Sequence, residues 1–342
     1  KHPALIMCTS GTTGRPKGVM LSEKNLTANL TAIASYFRIG REDSILIARP
    51  LYHCAVLTGE FLVSLVKGTK IRFYSEAFNP KALLDLMNEY AITAFCATPT
   101  LLSIMTRFTR KGAGRSLRHI VVSGECMGKE TGKRIAGTFS GADIYHVYGL
   151  TEAPRISYLP PAEFSEHPDS VGIPLQGVSL KILKSDATPA ETNEEGALWV
   201  RGDNVMMGYY NDPGQTQKVL RDGWLCTGDI ALIDQNGLLK IRGRKDDLII
   251  RAGMNIYPQE VENSVKQDSR VSEVLVYGLM DGPAGVQLAM DIVGNFSSVE
   301  EVKNLCAQTL PGYQIPSQIR LLDELPKNGS GKIIRGKRHA GI

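Results

Sequence analysis

The fold class of this chain follows from residues 92–124, which read ITAFCATPTLLSIMTRFTRKGAGRSLRHIVVSG. Two short apolar runs, 92–98 and 117–124, stand on either side of a helical pattern over 99–110. Apolar runs of this length favour buried strands, and a helix between two of them is typical of the crossover between parallel strands. We therefore predict a strand–helix–strand unit of a parallel sheet.

The same alternation continues on both sides of that unit, over residues 1–160. Further strands are predicted at 44–48, 69–74 and 143–149, and further helices at 24–37, 80–90 and 128–139. Strands that alternate with helices indicate an α/β domain in which helices cover a mostly parallel sheet. The predicted fold class is therefore α/β, with a large N-terminal domain of this kind.

The character of the sequence changes after about residue 170. Asn, Asp and Gly turns separate three short alternating runs, VSLKILK (178–184), GALWVRG (196–202) and LLKIRGR (238–244). This pattern predicts a small antiparallel β unit at about 170–244. A small α+β segment follows, with helices expected at 258–267 and 298–309 and strands at 273–278 and 286–293.

Length and composition restrict the class of protein. A chain of 342 residues is long enough for two or three domains, and its net charge of +4 is too small and too scattered to predict a nucleic-acid partner. No apolar run approaches the roughly 20 residues of a membrane span, and no signal-peptide pattern opens the sequence. The six cysteines form no CxxC pair and the six histidines no HxxxH pair, which argues against a zinc site and a disulfide framework. A cytoplasmic location, where thiols stay reduced, is expected.

The stretch CTSGTTGRPKG (8–18) is rich in groups that bind phosphate. An apolar run, Ala4–Cys8, predicts a buried strand before it, and a helix whose N-cap is Ser22 is expected after it. The loop itself offers glycines, four hydroxyl groups and the cations Arg15 and Lys17. In outline this resembles a P-loop, but no Gly-Lys-Ser/Thr closes the loop, so the Walker spacing fails. A solvated turn remains the alternative for this stretch taken alone.

Four later stretches give the loop a context. They are YGLTE (148–152), WLCTGD (224–229), GRKDDLIIRAGMNIYPQEVE (243–262) and LPKNGSGKIIR (325–335). The first ends a predicted strand, the edge at which α/β sheets bind ligands, and the second places Asp229 after a tight turn. Together and in this order, the five motifs resemble the adenylate-forming superfamily, and in particular its acyl- and aryl-CoA ligase branch. The resemblance extends from residue 4 to about residue 336.

The resemblance implies a two-step reaction that uses ATP, Mg²⁺ and CoA. Such enzymes join a carboxylic acid to the α-phosphate of ATP, release pyrophosphate and pass the acyl group to a thiol. The acid is already ionised at neutral pH, so the first step needs no general base. It needs neutralisation of charge and alignment of the reactants.

The resemblance also implies a role for each motif residue near ATP. The phosphate loop, expected on the β- and γ-phosphates, comprises Thr9, Ser10, Gly11, Thr12, Thr13, Gly14 and Lys17. Thr151 is expected to contact the α-phosphate, and Glu152 to hold Mg²⁺, which prefers oxygen ligands. Tyr148 is expected to stack on adenine beside Gly149. His146 stands where aryl-CoA ligases often have Asn, and an adenine-edge contact is expected there.

The C-terminal motifs imply a mobile small domain. Asp229 is expected to accept both ribose hydroxyls, with Arg244 on the ribose or phosphate side. Asp246 corresponds to the hinge of the family, so we expect a large domain at 1–244, a hinge at 245–247 and a small mobile domain at 248–342. One pose would present Lys332 to the carboxylate and α-phosphate. The other would present residues 251–260, with Gly253 lining the pantetheine channel.

The acid and the acceptor stay open at this point. His53, Ser123, Gly124, Ala153 and Pro154 are expected to line the acyl pocket. The stretch PLYHCAVLTGE (50–60) contains no Asp to pair with an ammonium group, which argues against an amino-acid substrate but leaves aryl and fatty acids open. The acceptor thiol belongs either to CoA or to the phosphopantetheine of an acyl carrier protein. A non-catalytic nucleotide-binding remnant is the alternative from another class of protein.

The phosphate loop lies unusually close to the start of the sequence for the family that it resembles. In the family, the large domain begins well over a hundred residues before this loop, whereas here the loop begins near residue 1. On this resemblance we expect that strands which pack against this part of the domain are missing from the sequence, and bare apolar sheet surface is costly in water. We expect either that the sequence is a piece of a longer chain or that a second polypeptide supplies the N-terminal segment.

Overall fold

The protein is described by a computed structural model for residues 2–9, 16–76, 79–109, 114–251, 253–280, 286–327 and 333–335. It divides into two compact units. The first comprises Lys1–Thr227 with Ala231–Ile241, and the second comprises Gly228–Ile230 with Arg242–Ile342. In these described ranges, every helix is too short or too polar to traverse a lipid bilayer.

The first unit contains most of the secondary structure. Its strands are β1 (Leu5–Thr9), β2 (Lys17–Leu21), β3 (Ser44–Ile47), β4 (Lys70–Phe73), β5 (Ala94–Ala97), β6 (His119–Val122), β7 (Asp143–Leu150), β8 (Ala153–Leu159), β9 (Ile173–Pro174), β10 (Val178–Leu183), β11 (Gly196–Gly202), β12 (Gly208–Tyr209), β13 (Leu220–Arg221), β14 (Trp224–Ile233) and β15 (Leu239–Arg244). Its α-helices are α1 (Glu23–Tyr36), α2 (Cys54–Val56), α3 (Val63–Lys67), α4 (Pro80–Glu89), α5 (Pro99–Phe108), α6 (Lys129–Thr138), α7 (Pro161–Phe164) and α8 (Pro213–Val219). A π-helical turn, Leu57–Leu62, joins α2 to α3.

A seven-stranded sheet in the order β4-β3-β5-β6-β7-β8-β9 organises the first unit. The strands from β4 to β7 pair in parallel, whereas β8 and β9 are added antiparallel. Side chains alternate between its two faces. Leu46 and Phe95 belong to a core with α4, α5 and α6, while Ile45 and Ala94 belong to a second core with α1 and α3. All four are fully buried, which explains why these strands are apolar throughout.

Local capping chemistry fixes where the helices begin. The hydroxyl of Ser22 accepts a hydrogen bond from the backbone N–H of Asn25 at 3.1 Å, so the predicted N-cap of α1 is confirmed. Thr98 caps α5 through the N–H of Leu101 at 3.2 Å, and Pro99 occupies the first helical position. The missing N–H of proline is no loss there, since the first N–H groups of a helix have no partner within it.

The antiparallel strands form two further sheets. One has the order β1-β2-β12, and the other has the order β10-β11-β14-β13 with β15 paired to β14. They share a core that contains Met7, Val19, Leu198 and Leu225. Gly228–Ile230 of β14 and Arg242–Arg244 of β15 belong to the second unit.

The region before α1 differs from the prediction. β1 is confirmed as a strand, but its predicted burial is wrong: Met7 is buried, whereas Ile6 is 41% exposed. The physical reason is that successive side chains of a strand point to opposite faces of its sheet, so Met7 packs in the core while Ile6 faces solvent. Lys17 begins β2, which pairs antiparallel with β1. The P-loop outline of strand, loop and helix is therefore replaced by a hairpin that precedes α1.

The second unit is a small α+β structure. Its elements are β16 (Ile249–Arg251), β17 (Met254–Ile256), α9 (Pro258–Val265), β18 (Val271–Met280), β19 (Val286–Gly294), α10 (Val299–Thr309) and β20 (Gln318–Leu321), with 3-10 turns at Lys245–Asp247 and Gly312–Gln314. β19 is central: it pairs antiparallel with β18 and parallel with β20. Ile256, Val261, Met290 and Val302 lie in one buried core. The α/β class of the first unit and the α+β class of the second are as predicted.

Candidate active site

Several predicted site residues lie where parallel strands of the seven-stranded sheet end. Ser123 and Gly124 follow β6 directly, and the hairpin turn of Thr151 and Glu152 joins β7 to β8. His53 precedes α2, a few residues beyond the end of β3. Because β3, β6 and β7 run in the same direction, these residues share one edge of the sheet. That edge is the usual place for ligands in α/β folds.

Glu152 and Lys17 both contact the same tyrosine. The hydroxyl of Tyr209, on β12, donates to Oε1 of Glu152 at 2.7 Å, and the Nζ of Lys17 lies 5.3 Å from the centroid of the Tyr209 ring. Tyr209 is 7% exposed, which fixes its position in the core. The structure therefore brings together a cation from the end of the phosphate loop and the predicted metal-binding carboxylate. Thr9, at the other end of that loop, pairs with Lys17 across β1 and β2.

The arrangement around Glu152 suits a magnesium ligand. Oε1 of Glu152 accepts the hydrogen bond from Tyr209. Among the described residues, Oε2 of Glu152 has no hydrogen-bond partner. The side chain is partly exposed at a hairpin turn. Mg²⁺ is usually held by one or two carboxylates together with substrate phosphates and water, so the residues present fit this ion.

Tyr148 and Gly149 lie at the end of β7, before the hairpin turn. A Cβ atom added to Gly149 would stand 2.2 Å from the carbonyl oxygen of Pro154, so the close approach of β7 and β8 requires glycine. Pro154 and Ala153 are buried at the start of β8. The predicted adenine and acyl-pocket residues of this motif thus occupy one hairpin.

His146 is buried on β7 with one unpaired ring nitrogen. Its Nδ1 lies 3.0 Å from the carbonyl oxygen of Pro168, while Nε2 is buried without a partner among the described residues. Burial lowers the pKa of His146 from 6.5 to about 4. The ring is therefore neutral near pH 7, and with the proton on Nδ1 its Nε2 is a hydrogen-bond acceptor. An acceptor suits the amino group at the predicted adenine edge.

The depressed pKa of His146 predicts a loss of stability in acid. Between the unfolded pKa of 6.5 and the folded value of about 4, the unfolded chain binds a proton that the folded chain does not. The stabilisation from neutral His146 is thus present above pH 6.5 and is lost as the pH falls below it. In a His146→Gln variant, the drop in unfolding free energy from about pH 7.5 to about pH 5 is expected to be smaller by about 2 kcal/mol. Urea denaturation at both pH values measures it, with His2→Gln as the exposed control; an unchanged drop in His146→Gln contradicts the prediction.

Asp229 and Arg244 form an ion pair within the second unit. Nη1 of Arg244 lies 3.3 Å from Oδ1 of Asp229, whose side chain is 6% exposed. The structure therefore brings together the two residues predicted near the ribose. The predicted tight turn before Asp229 is wrong, because β14 continues through it. The local irregularity is Gly228, whose φ of +77° lets the Arg244 guanidinium lie against its backbone.

The predicted hinge and pantetheine residues are exposed. Asp246 lies in the 3-10 turn that follows β15, and Gly253 lies in the turn between β16 and β17 with a φ of +79°. In that 3-10 turn, burial raises the pKa of Asp247 although Arg335 and Arg244 oppose it. The hinge at 245–247 and the role of Gly253 stay predictions.

Six predicted site residues lie outside the described residues. They are Ser10, Gly11, Thr12, Thr13, Gly14 and Lys332. Their expected roles on the phosphates and in adenylation stay predictions.

The sequence reasoning missed Tyr209 and Arg49. Tyr209 belongs to no motif quoted above, and only its pairing next to β2 brings it to Glu152. Arg49 follows β3, and its Nη1 lies 3.4 Å from the Oγ of Ser123. A signal for Arg49 was available, since a charged residue at the end of an apolar strand (SILIARP, 44–50) is uncommon in a core.

Comparison with protein families identifies both parts of the chain. The model of the AMP-binding enzyme family matches residues 1–210, and that of the AMP-binding enzyme C-terminal domain matches residues 260–332. The long-chain-fatty-acid–CoA ligase of Haemophilus influenzae is 33% identical over 341 residues, which cover 97% of this chain and 60% of that ligase. The feruloyl-CoA synthase of an Amycolatopsis species is 33% identical, with coverages of 97% and 68%. The chain thus spans about 60% of the length of the first of these relatives.

Solved structures give the same result. The O-succinylbenzoate coenzyme A synthetase of Bacillus subtilis in complex with AMP has a TM-score of 0.87 at 31% identity, covering 97% of this chain and 68% of that one. The same synthetase in complex with ATP and magnesium ion has a TM-score of 0.85 at 32% identity, with coverages of 96% and 68%. The sequence motifs, the fold and these comparisons agree, and the chain belongs to the AMP-binding enzyme family, within the adenylate-forming superfamily.

Proposed function

We propose that this protein is an AMP-forming acid–thiol ligase. It joins a carboxylic acid to the α-phosphate of ATP, releases pyrophosphate and transfers the acyl group to the thiol of CoA. The observation that supports the proposal is the contact of Tyr209 with both Lys17 and Glu152, because a cation and a carboxylate then lie close together at one end of the predicted phosphate loop. The names of the relatives, a fatty-acid–CoA ligase and a feruloyl-CoA synthase, support the same reaction class.

The proposed roles follow from charge. Lys17 and the phosphate loop neutralise the β- and γ-phosphates, which leave as pyrophosphate. Thr151 contacts the α-phosphate, and Lys332 draws the substrate carboxylate to it. Glu152 would hold Mg²⁺, which supplies positive charge to the phosphate oxygens when it is bound.

The nucleoside part of ATP needs hydrogen-bond partners more than charge. Asp229 offers two carboxylate oxygens to the ribose hydroxyls, and Arg244 keeps that carboxylate oriented through the 3.3 Å ion pair. His146 offers Nε2 to the adenine edge, against which Tyr148 stacks. These assignments need no proton transfer, which agrees with a substrate acid that is already ionised.

Exchange of labelled pyrophosphate into ATP tests the first half-reaction. We expect exchange that depends on an added aryl or fatty acid, with amino acids inactive, because the 50–60 stretch supplies no Asp to an ammonium group. A second assay then offers CoA and a phosphopantetheinylated carrier protein as thiol acceptors. Binding of ATP without exchange for any acid indicates a non-catalytic remnant and contradicts the proposal, while preference for an amino acid contradicts the choice of branch.

A further inference from the structure

Two buried charged side chains and one partly buried one lie at the edge of the sheet that carries the predicted acyl pocket. Arg49 follows β3, Glu60 lies in the π-helical turn, and Arg155 lies on β8 directly after Pro154. Glu60 is 1% exposed and Arg155 is 3% exposed. Side chains of this type are almost never fully buried without a partner, so each one calls for a physical explanation.

The ion pairing in this cluster is incomplete. Arg49 donates from Nη2 to Oε1 of Glu60 at 2.6 Å. Oε2 of Glu60 and Nε of Arg155 are both buried without a hydrogen-bond partner among the described residues. Within the same described ranges, no ion pair of 4.0 Å or less involves Arg155. Arg155 is thus a nearly buried cation that forms no ion pair with any described carboxylate.

The charges of the cluster do not balance. Two guanidinium groups face one carboxylate, and burial raises the pKa of that carboxylate, Glu60, against the opposing charges of Arg49 and Arg155. Glu125 and Glu152 each accept a hydrogen bond from a neutral hydroxyl, that of Thr100 and that of Tyr209, and among the described residues neither forms an ion pair with Arg155. Removing an unpaired charge from water is costly, so a fixed positive charge here is stabilised when an anion enters.

Arg155 lies close to residues of the predicted acyl pocket. Its Nη2 lies against Gly59, where an added Cβ would stand 2.3 Å away. Burial raises the pKa of Cys54, the chain neighbour of His53, to about 12, and the positive charge of Arg155 opposes that rise. Its own chain neighbours on β8 include Pro154 and Ala153. Arg49, the other cation, contacts Ser123.

We infer that the acid activated by this protein carries a second carboxylate, which Arg155 binds in the acyl pocket. The inference rests on the proposed function and names its substrate class as dicarboxylic acids. A guanidinium group binds a carboxylate with two parallel hydrogen bonds and keeps its charge at any physiological pH, so it selects for an anionic group at a fixed distance from the reacting carboxylate. Arg49 stays paired with Glu60 and contacts Ser123.

A purely structural role for Arg155 is the competing explanation. In that case its charge serves Glu60 at longer range and stabilises the packing of β8 on the π-helical turn. The two explanations differ in their effect on substrate preference. A structural arginine affects the binding of mono- and dicarboxylic acids equally, whereas a substrate-binding arginine affects dicarboxylic acids alone.

The test is acid-dependent pyrophosphate exchange with pairs of acids of matched size, hexanoate against adipate and 3-methylbenzoate against isophthalate. We expect the dicarboxylic member of a pair to have a KM lower by about 10-fold or more. In Arg155→Met, the KM for the dicarboxylic acid is expected to rise by about 10²-fold while that for the monocarboxylic acid is unchanged or falls. Arg155→Lys, which keeps the charge but loses the planar fork, should show an intermediate rise. Arg201→Met, a change at an exposed arginine on β11, is the matched control.

The outcomes separate the two levels of the proposal. Loss of the dicarboxylate preference in Arg155→Met, with partial recovery in Arg155→Lys, supports the inference. The inference is overturned if KM changes equally for both acids of a pair. It is also overturned if the wild-type protein prefers monocarboxylic acids and both variants keep that preference. In either case the ligase function stands. Absence of exchange with every acid overturns the ligase function and the inference with it. The melting temperature of Arg155→Met shows whether this variant folds. If it does not fold, the KM values of Arg155→Lys for the mono- and dicarboxylic acids of each pair provide the test.

Discussion

A Glu152→Gln variant is expected to lose acid-dependent pyrophosphate exchange by a factor of about 10²–10³. The amide keeps the size of the side chain, and its carbonyl oxygen can still accept the 2.7 Å hydrogen bond from Tyr209. What disappears is the negative charge that we propose for holding Mg²⁺, a cation that depends on anionic oxygen ligands. Initial rates across a range of Mg²⁺ concentrations measure the effect, and partial recovery at high Mg²⁺ is part of the expected result.

Two further variants separate the charge of Glu152 from its placement. Tyr209→Phe keeps the ring beside Lys17 but removes the hydroxyl donor, so a smaller loss of about 5–10-fold is expected. Glu163→Gln removes a half-exposed carboxylate on α7 and should leave the exchange rate unchanged. Wild-type exchange in Glu152→Gln, in a protein with an unaltered melting temperature, would remove Glu152 from the proposed site.

A Lys332→Ala variant is expected to lose adenylation by about 10²–10³-fold while keeping thioester formation from supplied acyl-adenylate. The expected reason is that the lysine bridges two anions, the substrate carboxylate and the α-phosphate, whose repulsion opposes the first step. The second step starts from a mixed anhydride in which that repulsion is gone. Pyrophosphate exchange measures the first half-reaction, and thioester production from synthetic acyl-AMP and CoA measures the second.

The chain offers a matched control for Lys332. Lys327 lies five positions earlier in the same motif, and its ammonium group pairs with Glu273. Lys327→Ala is therefore expected to keep both half-reactions near the wild-type rate, since exposed ion pairs contribute little. Equal loss of both half-reactions in Lys332→Ala contradicts the proposed division of labour between two poses of the C-terminal segment.

Much of the fold was predictable because its signals are local. The run 92–98 contains β5, 117–124 contains β6, and 80–90 contains α4. The apolar pattern of each element predicts which of its faces are buried. Strands covered on both faces are apolar throughout, and helices are apolar on one side. The cap of α1 was equally predictable, because Ser22 and Asn25 are three positions apart.

The errors of prediction have a common cause. The burial of β1, the antiparallel position of β2 and the course of the chain around Asp229 all depend on which strands become neighbours. Strand pairing depends on packing against cross-strand partners more than on intrinsic propensity. A strand at the edge of a small sheet and a strand in its centre can therefore have similar sequences. β8 was missed for the same reason, since its pairing with β7 follows from the hairpin at Thr151 and Glu152.

The sequence by itself determined the class of fold, the family and the chemical type of most site residues, since these depend on motifs and periodicities that a short window contains. Only the tertiary structure decided that Tyr209 contacts both Lys17 and Glu152, the latter 57 positions away along the chain. It alone also decided that Arg155 is buried against Gly59, with no carboxylate within 4.0 Å among the described residues. The physical reason is that burial and charge balance are properties of a packed neighbourhood. A residue's cost or benefit there depends on partners that chain folding brings together from distant positions.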